Sequence, residues 1–161
     1  MMLLYIGTLF GWQWSVVNGL QKMIPAEVRA KQTMFRIFFF FPIIYLLCLL
    51  TFIFTIFSHL VGSDFFSAGP HDINNGPIPS LFIIGFAVIM PLHLFAMFCI
   101  FYCIYFVAKT YKTVELQKKV SFGDFILEFF LVWFYPIGVW ILQPKINQMI
   151  AQYEEQQNIN G

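Results

Sequence analysis

Long apolar segments dominate the chain. Two of them, residues 37–58 and 81–107, are long enough to cross a bilayer, because the hydrocarbon core is about 30 Å thick and an α-helix rises about 1.5 Å per residue. Residues 37–58 contain no charged residue. Residues 81–107 contain no Asp, Glu, Lys or Arg and a single histidine, His93. Both segments are predicted to be transmembrane helices.

Two further apolar segments, residues 2–20 and 125–142, contain more polar residues. The first includes Gln13, and the second carries Glu128 and Pro136. Each is predicted either to cross the bilayer or to dip into it. Four full crossings give an all-α, polytopic transmembrane helix bundle in one domain, whereas a turn at Pro136 gives a re-entrant hairpin as its last element.

Basic residues predict the orientation of the bundle. The connecting segments 21–36 and 108–124 carry four Lys or Arg residues each, whereas segment 59–80 carries none. Because short loops rich in Lys and Arg stay in the cytoplasm, the first two segments are predicted to be cytoplasmic and the third to be periplasmic. With four full crossings, both termini would lie outside.

Composition supports a membrane environment. Hydrophobic residues make up 60% of the chain and charged residues only 11%, whereas about 25% of the residues in soluble domains are charged. The net charge of +1 gives no reason to expect nucleic acid as a partner. The expected surroundings are the lipid bilayer and other membrane helices.

An amphipathic helix is predicted after the last apolar segment, over residues 145–157. Its apolar residues recur at helical spacing, and Gln and Glu occupy the other side. We expect this tail to lie along a surface. The apolar positions are Ile146, Met149, Ile150 and Tyr153.

Small residues recur every four positions in the first apolar segment, at Gly7, Gly11, Ser15 and Gly19. On a helix this spacing produces one continuous face. Such a face lets two helix backbones approach closely, which favours association in lipid. It is predicted to pack either against a neighbouring helix of the same chain or against another subunit.

His93 lies in the middle of the third apolar segment, two residues after Pro91, which is expected to kink the helix. An ionisable residue at that depth is a candidate functional site. Alternatively, it forms a structural hydrogen bond to Thr51, to Thr55 or to the carbonyl that Pro91 leaves free. No metal or cofactor is expected, because the other histidines are predicted at a membrane edge and in a loop.

Glu128 lies near the start of the last apolar segment, one helical turn after a Ser-Phe-Gly-Asp sequence typical of a helix start. Its carboxylate is expected either to pair with Lys118 or Lys119, or to line a proton path together with His93. Pro136 is expected to kink the same segment.

No motif of a catalytic site occurs in the sequence: the zinc, nucleophilic serine and phosphate-binding patterns are all missing. No catalytic residue is therefore predicted. The leading hypothesis is a non-enzymatic accessory or assembly subunit of a larger membrane complex. The alternatives are a small oligomeric transporter or channel with a path through His93 and Glu128, and a cofactor-binding membrane protein.

Residues 133–147, with the sequence WFYPIGVWILQPKIN, resemble a segment of small uncharacterised integral membrane proteins of Bacteroidota-type bacteria. The resemblance implies a location in the bacterial inner membrane. It implies no activity and no site residues.

Overall fold

The computed structural model describes residues 2–29, 31–62 and 77–160. These residues form five α-helices and no strand, which confirms the predicted all-α class for the described part of the chain. The helices are α1 (Met2–Gln21), α2 (Gln32–Gly62), α3 (Pro77–Leu116), α4 (Phe122–Trp133) and α5 (Tyr135–Asn160).

Two of the described helices are long and apolar enough to cross a membrane, judged by length and composition. The qualifying parts are Gln32–Ser58 of α2 and Gly85–Leu116 of α3. They contain most of the two segments for which the sequence most clearly predicts spans. The predicted periplasmic segment 59–80 falls mainly on residues 63–76, which lie outside the described residues.

The chain divides into two compact units. Unit 1 comprises Met1–Arg36 and Phe101–Gly161, and unit 2 comprises Ile37–Ile100. In unit 2, aromatic rings join α2 and α3. The ring centroid of Phe95 lies 4.7 Å from that of Phe41 and 6.3 Å from that of Phe38. Edge-to-face pairs of this kind add favourable contacts beyond the burial of their area.

Unit 1 contains the more deeply buried core. Phe35 at the start of α2 stacks on Phe106 of α3 at 4.9 Å and on Trp14 of α1 at 6.3 Å. Phe125 of α4 is fully buried and packs edge-on against Tyr105. These aromatic contacts join α1 to α3 through Phe35 at the start of α2, and they join α4 to α3 directly.

The predicted segment 125–142 is divided between two helices. The Asp124 carboxylate accepts a hydrogen bond of 2.7 Å from the Ser121 backbone N–H at the start of α4. The helix ends at Trp133, and Phe134 adopts a non-helical conformation (φ −83°, ψ 59°). The sequence predicts a kink at Pro136, whereas the structure places this residue in the first turn of α5, where its missing N–H leaves no helix hydrogen bond unmade.

The second half of α5 packs against α1. The helix continues through Pro144 to Asn160. Ile146 is buried, and the Tyr153 hydroxyl donates a 3.3 Å hydrogen bond to the Lys22 carbonyl just beyond the end of α1. The apolar stripe predicted for the tail is therefore directed partly against a helix of the same chain.

Candidate functional site

The outward face of α1 carries the small residues that the sequence singles out. Gly7, Gly11 and Ser15 are exposed, and Gly19 is half-buried. A Cβ atom built at Gly7 or Gly11 would meet no described atom within 4 Å, apart from the helix's own neighbouring backbone. At Gly19 it would lie 3.9 Å from the Ile150 side chain of α5. Of this face, only the C-terminal end thus packs against the residues that the structure describes.

The opposite face of α1 is firmly held in unit 1. Val17 and Leu20 are fully buried, and Gln13 is only 1% exposed. The Trp12 indole N–H donates a 2.7 Å hydrogen bond to the Gln143 side-chain oxygen of α5. These contacts determine the rotation of α1 about its axis and keep the small residues on the outside. We refer to Gly7, Gly11, Ser15 and Gly19 as the small-residue face.

The exposed face of α2 has a different composition. Large apolar side chains recur there at helical spacing, and Leu47 and Phe54 are 61% and 70% exposed. Such a surface matches lipid acyl chains. Among the described residues, α1 contributes only Leu4 to the exposed large apolar side chains. The exposed α2 residues are Met34, Ile37, Phe40, Ile44, Leu47, Leu50, Ile53, Phe54 and Phe57.

His93 forms a hydrogen-bonded pair with Tyr45 in unit 2. The Tyr45 hydroxyl oxygen lies 3.1 Å from His93 Nδ1, with Tyr45 buried and His93 exposed. Thr51 and Thr55, the partners that the sequence suggests, donate instead to carbonyls of their own helix. The sequence offered one signal for this partner of His93, since Tyr45 is the only tyrosine in the segment 37–58.

Glu128 belongs to a three-residue ionic cluster in unit 1. Glu128 is 7% exposed, and its Oε1 lies 3.0 Å from the Lys112 Nζ of α3. The same Lys112 Nζ lies 2.7 Å from the Glu115 Oε2. The α3 helix continues to Leu116 and places Lys112 beside α4. The partner of Glu128 is therefore Lys112, whereas the sequence predicts Lys118 or Lys119.

The ionic cluster leaves one buried acceptor unmatched. Glu128 Oε2 has no hydrogen-bond partner in the described part of the chain. The carboxylate therefore relies on the single ammonium of Lys112, and losing that ammonium would leave a buried charge without compensation.

The two candidate polar residues belong to different units, and each has a partner within its own unit. A proton path through both His93 and Glu128 therefore stays a prediction. Within the described ranges, no three His, Cys, Asp or Glu side chains gather as metal ligands would. Cys99 and Cys103 are buried, and Pro91 lies inside α3.

Three features thus need a functional explanation: the small-residue face, the Tyr45–His93 pair and the ionic cluster around Lys112. They differ in one respect: both polar groups have partners in the chain, whereas most of the small-residue face has none within contact distance in the described residues. Comparison with protein-family models, with curated proteins and with solved structures finds no match to this chain.

Proposed function

We propose that this chain is a non-enzymatic accessory or assembly subunit of a larger complex in the bacterial inner membrane, and that the small-residue face of α1 binds a transmembrane helix of another subunit. The observation that carries the proposal is the open space over Gly7 and Gly11 on a helix whose other side is firmly packed.

Helix association in lipid explains why this face favours a protein partner. Lipid tails are as apolar as Leu, so burial of apolar side chains gives little drive for two helices to associate. Close van der Waals contact between backbones does give such a drive, and it requires small residues at the contact. The face offers this geometry at Gly7, Gly11 and Ser15, all of which are exposed.

The proposed membrane placement follows the basic residues. Segments 21–36 and 108–124 face the cytoplasm, and segment 59–80 faces the periplasm. In this placement α2 and α3 cross the bilayer, and the large apolar side chains of α2 contact acyl chains. The small-residue face lies on α1, which leads into the basic segment beginning at Gln21.

The two polar groups fit a structural role in such a subunit. The Tyr45 hydroxyl gives the His93 imidazole a hydrogen-bond partner, and Lys112 gives Glu128 an opposite charge. Each contact gives a partner to a group that would be costly to leave unpaired in an apolar environment. Neither group needs a substrate to explain its presence.

The proposal is tested by purification in a mild detergent, followed by mass spectrometry of the proteins that co-purify. Wild-type chain should bring down a larger membrane protein in constant ratio. Ser15→Leu should reduce that recovery at least tenfold at unchanged abundance, because a Leu side chain would separate the two backbones.

The matched control is Thr51→Leu, which makes the same kind of change on the exposed face of α2. It should leave recovery of the partner unchanged. Equal recovery with Ser15→Leu and Thr51→Leu would contradict the proposed interface. A homo-oligomer without a second protein would favour the transporter or channel alternative instead.

A further inference from the structure

The α4 helix is too short to cross a membrane. It contains 12 residues, which gives a length of about 18 Å at 1.5 Å per residue, compared with a hydrocarbon core of about 30 Å. The helical conformation is then interrupted at Phe134. The Phe134 carbonyl accepts a 2.9 Å hydrogen bond from the Gly138 N–H in the first turn of α5.

The break is a sharp turn. A Cβ atom at Gly138 would overlap the Leu131 carbonyl of α4, so the two backbones are in direct contact there. Seven residues advance about 10 Å along a straight helix, which would keep these two positions apart. Residues 131–138 must therefore bend back on themselves, and only glycine fits at position 138.

The α5 helix runs parallel to α1. Three contacts define the register: Trp12 with Gln143, Gly19 with Ile150, and Lys22 with Tyr153. Contact positions on the two helices advance together along the chain, as they do in a parallel pair. The C-terminal end of α5 therefore lies beside the C-terminal end of α1.

The end of α3 lies at the same place. A groove of about 570 Å³ is lined by Met23 after α1, by Val114 near the end of α3 and Gln117 just beyond it, and by Met149 and Tyr153 of α5. The segment that starts with α4, directly after α3, thus returns in α5 to the end of unit 1 from which it departed. That end carries the basic segments predicted to be cytoplasmic.

We infer that α4 and the first half of α5 form a re-entrant hairpin that enters and leaves the membrane on the cytoplasmic side, with the acyl chains of that leaflet as its partner. Residues 129–144 contain no charged side chain. Phe134 at the turn is 58% exposed, and Trp140 in the first half of α5 is 85% exposed. Uncharged, outward-facing aromatic residues of this kind suit lipid and would be costly in water.

The hairpin and a full crossing place the C-terminus on opposite sides of the membrane. A full crossing would place residues beyond Pro144 in the periplasm, whereas the hairpin places them in the cytoplasm beside the end of α3. The polar second half of α5, with Glu154 and Glu155 exposed, then extends from the membrane into water on the basic side.

Cysteine labelling tests the location of the C-terminus. Asn158→Cys is exposed and is labelled with a membrane-impermeant maleimide in inside-out vesicles and in spheroplasts, with unsubstituted protein as the background. Lys118→Cys serves as the cytoplasmic reference and Asn74→Cys as the periplasmic one. Asn158→Cys should react like Lys118→Cys in inside-out vesicles and stay unlabelled in spheroplasts. Labelling in spheroplasts, as for Asn74→Cys, would overturn the hairpin.

A spin label at Trp140→Cys tests the lipid partner. Its collisions with oxygen should exceed those with a water-soluble nickel chelate, and Asn158→Cys should show the opposite preference. Easy access of the chelate to Trp140→Cys would overturn the lipid contact. Neither result depends on the α1 interface, so this inference and the proposed function can fail separately.

Discussion

Glycine has opposite surroundings on α1 and in the α4–α5 hairpin. At Gly7 and Gly11 an added Cβ would meet no described atom within 4 Å beyond the local backbone, whereas at Gly138 it would overlap the Leu131 carbonyl. One region leaves space for a backbone from outside the chain, and the other has already filled that space with its own backbone. A glycine in an apolar helix can therefore lie at an internal backbone contact or on an open surface, and the structure distinguishes the two cases.

The largest expected effect is at Gly138. Gly138→Ala should destabilise the protein by about 3 kcal/mol or prevent folding, because overpacking costs about 1 to 3 kcal/mol and here the obstacle is backbone rather than a movable side chain. Thermal unfolding in detergent measures the effect. The control is Gly123→Ala, where an added Cβ meets no described atom within 4 Å. Equal stability of the two variants would show that the hairpin is not closed.

The attachment of the hairpin to α3 is the next target. Lys112→Met should cost about 2 kcal/mol, because it removes a hydrogen bond to a charged partner and leaves the Glu128 carboxylate buried without its cation. Lys112→Arg should restore most of that stability. A full loss of stability in the arginine variant as well would show that packing of the lysine stem, rather than its charge, holds α4 in place.

A hydrogen bond between Trp12 and Gln143 joins side chains of the two compared regions. Trp12→Phe removes the donor to Gln143 and should cost about 1 kcal/mol. Gln143→Leu should cost a similar amount, and the double variant should cost less than the sum of the two. Additive losses in the double-mutant cycle would mean that this bond does not couple α1 to α5.

The smallest stability effects are expected at the open position Gly11 and at the hydrogen bond between Tyr45 and His93. Gly11→Leu should change the unfolding free energy of the isolated chain by no more than about 0.5 kcal/mol, because the site is open. Tyr45→Phe should cost about 0.6 kcal/mol, the average for one hydrogen bond between membrane helices. If Gly11→Leu destabilised the isolated chain as much as Gly138→Ala, the comparison between the two regions would be wrong.

The helical class was predictable because the apolar segments are long and their polar interruptions few. The turn at Phe134 was harder to predict, because Pro136 is compatible both with a kink in one helix and with the first turn of a new helix. The sequence allowed both. The role of Gly138 depends on the approach of a backbone seven residues away, and helix spacing alone does not reveal that approach.

The candidate site was predictable in part for a similar reason. Four-residue spacing gave the small-residue face, but its orientation depends on which side of α1 the core covers. Sequence distance favoured Lys118 or Lys119 as the partner of Glu128, whereas the length of α3 brings Lys112 beside it. Likewise, Tyr45 is one aromatic residue among many in α2, and only the packing of α2 on α3 pairs it with His93.

Site-specific photocrosslinking in intact cells tests the proposed interface most directly. A photoreactive residue is placed at Ser15 on α1 and, as a matched control, at Leu47 on the exposed face of α2. We expect one discrete adduct from Ser15, larger than twice the 18.9 kDa mass of the chain, and no protein adduct from Leu47. The same outcome at both positions, or an adduct of two copies of the chain alone, would contradict the proposed interface.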